Sequence, residues 1–304
     1  MTHEVRCATQ SPSTPVASPR RLLPCLVTTG LFIALYTPVF AHLLRTWQTN
    51  EYASHGYAIP AIAGFFAWRR WPRVQASRAT GGRAGLFVLG LALALYLFGV
   101  ASRIHLPKEL SLPLALAGIV LHLRGPDALR ALWFPLTFSL LMIGWPNSVI
   151  EWVSFPMQLA AAKYSAMALG LMGAPVERDG VNLAIPGYTF AVTVKCSGMQ
   201  SLLALTALGA ALAYALEGPP ARRMGLFALT IPIAVLANSL RVAAILMLAM
   251  WKGPRVAEGF FHGFSGFVLF LLATLGLLGA ALALRLKRPT WENACRVNGA
   301  DTRR

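Results

Sequence analysis

Long runs of apolar residues, separated by short polar stretches, dominate the chain. A helix needs about 20 largely apolar residues to cross the hydrocarbon core of a bilayer, and the longest runs lie near residues 22–44, 84–102, 198–216, 224–250 and 262–284. Shorter or weaker runs lie near residues 55–68, 110–123 and 129–145. The pattern predicts an all-α polytopic membrane protein with about eight transmembrane helices.

The stretch before the Cys196 run fits this pattern least. Residues 148–172 are apolar enough to span, but a ninth span would reverse the side of every later loop, so we predict a helix that re-enters or lies in the interface. Turn signals follow at Asp179-Gly180 and Pro186-Gly187, with alternating apolar and polar residues around them. We therefore expect a small extracytoplasmic β-hairpin that leads into Cys196.

Composition and charge sharpen this picture. Of the 304 residues, 56% are hydrophobic and only 12% are charged, although the net charge is +16. Arginine pairs and clusters fall in alternate loops, whereas the acidic residues occur largely in the others, at Glu51, Glu109, Glu177, Asp179 and Glu258. This asymmetry is the positive-inside pattern. It predicts cytoplasmic tails at 1–21 and 286–304 around a membrane domain at 22–285, and it argues against a nucleic-acid partner.

The motif CSGMQS places one thiol at the start of an apolar run. Ser197 and Gln200 have the spacing of a capping box, which would put Cys196 at the positive end of a helix dipole, where a thiol becomes more reactive. Gly198 leaves room beside the sulfur. The other cysteines, at positions 7, 25 and 295, fall on the cytoplasmic side of the predicted topology. Cys196 is then the only extracytoplasmic cysteine. Either a small buried residue or a reactive thiol fits this position.

Two further polar residues interrupt apolar helices on the same predicted side. Arg241 lies within a long apolar helix, where an ionisable residue is by default a paired or functional group, and Asn238 is one turn earlier on the same face. His262 opens the last span, either as a boundary residue or as a proton-transfer group. The topology came from the charged loops alone, yet it brings Cys196, Arg241 and His262 to one face.

Together these three side chains suit acyl transfer. A thiolate can attack an amide carbonyl, and an imidazole can exchange protons with the thiol and the leaving amine. A fixed guanidinium can stabilise the oxyanion that forms. The set is closer to a sortase arrangement than to a papain-like triad. No metal ligand set and no cofactor motif is apparent, so we expect neither.

The sequence also resembles the exosortase/archaeosortase family. The resemblance rests on CSGMQSL, NSLRV and FHG in that order in the last three spans, with EYASHGYAIPAIAGFFAWRRW near the start, and it covers roughly residues 45–285. Met199 and Gln200 depart from the commonest Leu-Arg wording of the first motif.

The resemblance implies a membrane-embedded cysteine protease or transpeptidase of the inner membrane, with its site on the extracytoplasmic face. It would cut exported proteins that end in a Pro-Glu-Pro-type motif, a transmembrane helix and a basic end. By position, Cys196 would be the nucleophile, Arg241 the oxyanion stabiliser and His262 the acid/base. Ser197, Gly198, Asn238 and His55 would support the site or position the substrate. Any accessory protein would be a separate chain.

Two other classes stay open from sequence. A transporter or polysaccharide-handling protein could use Arg241 to bind an anionic group such as a lipid-linked phosphate, and a secretion assembly factor would depend on none of the three residues singly. An intramembrane metalloprotease fits poorly, because the chain has no His-Glu-x-x-His motif.

Overall fold

The computed structural model of the protein describes residues 19–77, 82–253 and 260–287, except the side chains of residues 19–28 and 260–264. The helices are α1 (Pro19–Thr49), α2 (Ala58–Ala76), α3 (Arg83–Ala101), α4 (His105–Phe138), α5 (Asn147–Leu171), α6 (Met199–Ala215), α7 (Pro220–Ala228), α8 (Thr230–Lys252) and α9 (Phe260–Ala283). Short 3₁₀ helices occupy Glu51–Tyr57, Ser139–Met142 and Val194–Cys196. Contacts divide the chain into two units, 1–42 and 43–304, and the second unit contains the elements discussed below.

Five stretches of the described chain are long and apolar enough to cross a membrane. They are Arg83–Ala101, His105–Met142, Val194–Ala215, Pro220–Lys252 and Ser265–Ala283. The predicted all-α polytopic class is therefore confirmed, whereas the total of eight spans stays a prediction. Most of the predicted tails, 1–21 and 286–304, lies outside the described residues.

Helices α2 and α4 extend through segments that the charge pattern assigned to loops. Helix α2 continues through its arginine-rich end to Ala76. Helix α4 contains the predicted run 110–123 and the first part of the run 129–145, and it breaks at Gly125, whose φ of 81° and ψ of −177° leave the helical region. Pro126 follows and cannot donate an amide hydrogen bond. Glu109 was expected in an outer loop, but it lies within α4 with only 3% of its surface exposed.

The predicted hairpin is a three-stranded antiparallel sheet of β1 (Glu177–Asp179), β2 (Asn182–Ile185) and β3 (Tyr188–Ala191), in the order β1-β2-β3. Both predicted turns are present, because Asp179 pairs with Asn182 and Ile185 pairs with Tyr188 across them. Leu183 and Phe190 are opposite each other in the register and both are buried. The sheet buries this face against α5 and α8.

Helix α5 packs closely against α8 through small side chains. Ala161 and Ala162 are at most 1% exposed and share a cluster with Val242 and Ala243. Ser165 Oγ donates a hydrogen bond of 2.8 Å to the carbonyl of Ser239. Small residues let two helix backbones approach, as is usual for helix pairs in membranes. The contact with α5 covers α8 from Ser239 to Ala249.

The opposite end of α6 is fixed by an aromatic and arginine cluster. Tyr214 stacks on Phe134 with 3.7 Å between the ring centroids and 2° between the ring planes. Arg70 Nε donates to Tyr214 Oη at 2.8 Å, and Arg223 Nη2 donates to the Tyr214 carbonyl at 3.1 Å. Cations near a helix C-terminus satisfy its last carbonyls and complement the helix dipole. The cluster joins α2, α4 and α6 at this end.

Candidate active site

Cys196 lies in the turn that precedes α6. It ends the 3₁₀ helix Val194–Cys196, its amide donates to the Thr193 carbonyl at 2.9 Å, and its thiol is free of any disulfide. The residue is 7% exposed and belongs to the apolar cluster formed by the sheet, α5 and α8. The turn, rather than the helix, therefore holds the sulfur, and it holds it at the edge of the apolar core.

Asn238 locks this turn onto α8. Asn238 is fully buried, and its Nδ2 donates a hydrogen bond of 2.8 Å to the Cys196 carbonyl across 42 residues of sequence. Oδ1 of the same amide has no hydrogen-bond partner among the described residues. A buried amide that leaves one atom unpaired is costly. The hydrogen bond from Nδ2 to Cys196 offsets only part of the free-energy cost of burying the Asn238 amide.

Gly198 allows the close approach of the two segments. Its φ of +83° is in the left-handed region, where glycine is favoured. A Cβ built on Gly198 would lie 2.7 Å from both Cβ and Cγ of Asn238. The sequence led us to expect that this glycine gives access to the sulfur. The structure gives it a second function, which is to fit the backbone against Asn238.

Ser197 does not form the predicted capping box. The residue at the N-cap of α6 is Gly198, and Ser197 Oγ instead accepts from the Met199 amide at 3.2 Å and donates to the Val194 carbonyl at 2.6 Å. The Gln200 side chain points to another segment, where its Nε2 donates to Ser54 Oγ at 3.4 Å. The box is absent because the αL residue Gly198 separates Ser197 from the helix. Ser197 still braces the turn at both sides.

Arg241 lies one turn after Asn238 on α8 and is half-buried. Its Nε donates to Ser265 Oγ on α9 at 3.1 Å, and its side chain lines the same cavity as Gly198, which is two residues after Cys196. Ser265 has the helical spacing i+3 from His262, so the motif FHGFS contained a signal for it. Sequence reasoning nevertheless overlooked Ser265.

His262 is in the first turn of α9, one turn before Ser265. Its side chain lies outside the described residues. The structure therefore brings together Cys196, Arg241 and the first turns of α9, while the predicted contact of the His262 imidazole with them stays a prediction.

His55 supports one wall of the site. Its Nε2 donates to the Leu141 carbonyl at 3.1 Å, which fixes the 3₁₀ helix Glu51–Tyr57 against Ser139–Met142. Burial lowers the pKa of His55, and the carbonyls of Leu141 and Tyr52 oppose this shift only in part. Nδ1 is buried without a hydrogen bond of acceptable geometry. His55 is thus a neutral structural cross-link in this arrangement.

Tyr52 and Lys195 lie beside the site, and sequence reasoning gave neither of them a role, although Tyr52 belongs to the quoted EYASHGY stretch. The pKa of the Tyr52 phenol is raised by burial first, and then by the negative charges of Glu51 and Cys196. Lys195 Nζ is 3.5 Å from Glu51 Oε1 in an exposed pair, which contributes little to stability. For Lys195 the only sequence signal was its nearness to Cys196.

A cleft of about 950 Å³, which we call the α6 cleft, opens beside these residues. Polar residues line the end near Cys196. Mostly small or apolar residues of α2, α6 and α9 line the rest. The lining includes Glu51, Ser54, His55, Lys195, Gly198, Gln200, Ser201 and Arg241 at the polar end, and Ala58, Ile59, Ile62, Ala204, Ala207, Leu208, Gly266, Phe267, Phe270 and Thr274 beyond it. In the part of the chain that the structure describes, no three His, Cys, Asp or Glu side chains could share a metal ion.

Comparison with known proteins identifies the family. The family model described as transmembrane exosortase matches residues 47–279, a range that contains the turn of Cys196, Asn238, Arg241 and the first turns of α9. Searches of curated proteins and of solved structures found no match. The family model covers well over half of the 304 residues. The chain therefore belongs to the transmembrane exosortase family, whose members are protein-sorting transpeptidases or proteases that act on exported proteins at a membrane.

Proposed function

We propose that this protein is a cysteine transpeptidase or protease that removes the C-terminal sorting tail of exported proteins, with Cys196 as its nucleophile. The observation that carries the proposal is the buried hydrogen bond from Asn238 to the Cys196 carbonyl, because it fixes the turn of a free thiol to α8 one helical turn before Arg241, which lines the same cleft as Gly198. A buried thiol with only a packing function would need neither the bond nor the cation.

The proposed chemistry has two half-reactions. Cys196 Sγ transfers its proton to the His262 imidazole and attacks the scissile carbonyl carbon, and the Arg241 guanidinium stabilises the oxyanion. The C–N bond then breaks, and the leaving amine takes a proton from His262. The resulting thioester is attacked by an amine or by water, which releases Cys196 and the new C-terminus. The roles of Arg241 and His262 rest on the family motifs.

Arg241 is positioned for this role by contacts within the described chain. Its Nε is engaged by Ser265 Oγ, while the guanidinium also lines the α6 cleft beside Gly198. A guanidinium carries five N–H donors in a planar fork, which is the geometry that suits an oxygen ligand. A partly dry site strengthens the interaction with an oxyanion.

The further assignments concern place and partners. We infer that the protein lies in the inner membrane with the Cys196 end of α6 at the extracytoplasmic face, because that orientation leaves the arginine-rich ends of α2 and α7 in the cytoplasm. The substrates would carry a Pro-Glu-Pro-type motif, a transmembrane helix and a basic end. Any accessory protein of the sorting system would be a separate chain.

A second candidate is a membrane protein that binds an anionic group at Arg241. The lining of the cleft by a guanidinium favours it, because a cation in a half-buried cleft attracts anions. The two functions differ in what Cys196→Ser should do. It should abolish peptide cleavage by a thiol enzyme and leave anion binding intact, whereas Arg241→Ala should impair both.

The direct test is co-expression with an exported reporter that ends in a Pro-Glu-Pro-type motif, an apolar helix and a basic end. Mass spectrometry of the reporter's C-terminus should show cleavage beside the motif with the wild-type enzyme and an intact tail with Cys196→Ala. An added mass on the cut reporter would identify the acceptor amine. Equal cleavage with both enzymes would remove Cys196 from the mechanism, and an intact reporter with both would reject this substrate.

A further inference from the structure

The α6 cleft begins at the candidate active site and runs away from it along α6. On α6 its lining residues include Ser201, Ala204 and Leu208, which share one helical face. On α9 they include Gly266, Phe270 and Thr274, again at helical spacing. Ten residues of α6 separate Gly198 from Leu208, so the cleft is about 15 Å long at the helical rise per residue.

Two contacts on α6 mark the two ends of the cleft, one to the segment before α2 and one to α2 itself. Near Cys196 the contact is the hydrogen bond from Gln200 to Ser54, in the segment that precedes α2. At the other end, Phe66 of α2 contacts Tyr214 with 5.1 Å between ring centroids. Between these contacts the α6 side chains are small, at Ser201, Ala204 and Ala207. A floor of small residues is what lets a further helix approach closely in a membrane.

Two observations indicate that a partner able to form a hydrogen bond fills this space. Thr274 Oγ1 is buried at the wall of the cleft, and it has no hydrogen-bond partner in the described ranges. A threonine hydroxyl in a membrane helix normally bonds its own helix or a neighbouring one. On the same wall, Phe267 is 69% exposed, so the cleft has an open side that presents a large apolar ring.

We propose that the α6 cleft is the docking groove for the single apolar transmembrane helix of the substrate's sorting tail. This inference rests on the proposed function, because it assigns the tail's location at the same site. A helix that lies on Ala204 and Ala207 has its end beside Gly198 and Arg241, so the peptide that precedes it enters the polar end of the cleft. Docking along the groove then sets which bond reaches Cys196.

Site-specific photocrosslinking tests the groove without depending on cleavage. Benzoylphenylalanine would replace Phe267 in the full-length Cys196→Ala protein, co-expressed with the tailed reporter described above. The matched control replaces Leu272, which is 57% exposed on α9 and is absent from the cleft lining. We expect a reporter adduct from position 267, in severalfold excess over position 272.

The outcomes distinguish a failure of the docking groove from a failure of the proposed cleavage. No adduct at position 267, as for a cleft occupied only by lipid, overturns the groove, and so does an equal yield at position 272. An adduct at 267 with a reporter that the wild-type enzyme leaves uncut keeps the groove and rejects the cleavage. A cut reporter without the adduct keeps the cleavage and rejects the groove.

A groove-filling substitution gives a second readout. Ala204→Leu should raise KM for the tailed reporter about tenfold or more, because an added side chain overpacks the floor. Ala94→Leu, on an exposed face of α3, is the matched control and should leave KM unchanged. If Ala204→Leu also leaves KM unchanged, a helix does not occupy the groove.

Discussion

Asn238 of α8 and Cys196 of the turn before α6 are joined by a buried hydrogen bond of 2.8 Å between the Asn238 amide and the Cys196 carbonyl. The bond crosses from one candidate span to another, so it fixes the depth of the thiol relative to Arg241, which is one turn further along α8. The arrangement places a nucleophile and a cation on two different helices with one shared anchor. The turn, the anchor and the cation form one structural unit.

The first prediction concerns this anchor. Asn238→Asp replaces the donating amide with an oxygen that faces the Cys196 carbonyl, so we expect a loss of about 1–3 kcal/mol of stability together with loss of reporter cleavage. Ser154→Ala is the matched control, since Ser154 is fully buried and its Oγ has no partner among the described residues. Thermal unfolding in detergent measures the stability of both variants. Equal stability of the two variants would contradict an anchoring role.

The second prediction separates backbone strain from collision at Gly198. Gly198→Ala and Gly173→Ala both place a side chain on a residue of positive φ, +83° and +76°, but only the first Cβ meets other atoms within 4 Å. Gly173→Ala should cost about 1 kcal/mol from strain alone, whereas Gly198→Ala should cost severalfold more, and cleavage should fall with it. Comparable losses in the two variants would show that contact with Asn238 is unimportant.

Several of these features were predictable from the sequence, and others were not. The turns at Asp179-Gly180 and Pro186-Gly187 follow from local chemistry, and the structure contains both. The capping box of Ser197 and Gln200 also rested on local spacing, but it does not form. Gly198 adopts a left-handed backbone at the N-cap, and Gln200 bonds Ser54 instead. Local rules fail where a distant segment supplies the better partner.

The pairing of residues that are far apart in the chain had no local signal in the sequence. Asn238 and Cys196 are 42 residues apart and Arg241 and Ser265 are 24 apart, so their pairing depends on how the helices pack. Glu109 was placed in an outer loop by the positions of the apolar runs and the basic loops, yet packing buries it within α4. Charge and hydropathy predicted the membrane class, while the site required the packing.

The third prediction concerns Ser265. Ser265→Ala removes the acceptor that holds Arg241 Nε, so we expect kcat for reporter cleavage to fall by about tenfold with little change in KM, as for an interaction worth about 1.4 kcal/mol in the transition state. Ser265→Thr keeps the hydroxyl and should restore most of the rate. If alanine and threonine behave alike, the hydroxyl does not position Arg241.

The fourth prediction follows from the lowered pKa of His55. Because the folded state holds this imidazole below its ordinary pKa of 6.5, the unfolded state binds more protons as the pH falls through that value. The contribution of His55 to stability is therefore present above pH 6.5 and is lost as the pH falls toward the folded-state pKa.

His55→Gln tests this prediction, because glutamine keeps a donor for the Leu141 carbonyl but does not titrate. Thermal unfolding between pH 8 and pH 5 should show a smaller decrease for this variant than for the wild type. Ser154→Ala, a buried substitution that removes no titratable group, is the matched control and should retain the full decrease. An unchanged pH dependence in His55→Gln would mean that His55 does not contribute to it.

The central claim is that Cys196 forms a thioester with the substrate, and intact-mass spectrometry of the enzyme tests it most directly. Wild-type enzyme quenched in acid after mixing with the tailed reporter should gain the mass of the reporter's portion before the cut, on the peptide that contains Cys196, and hydroxylamine should remove it. Cleavage of the reporter with a Cys196 thiol that stays free, and with equal cleavage by Cys196→Ala, would contradict the account.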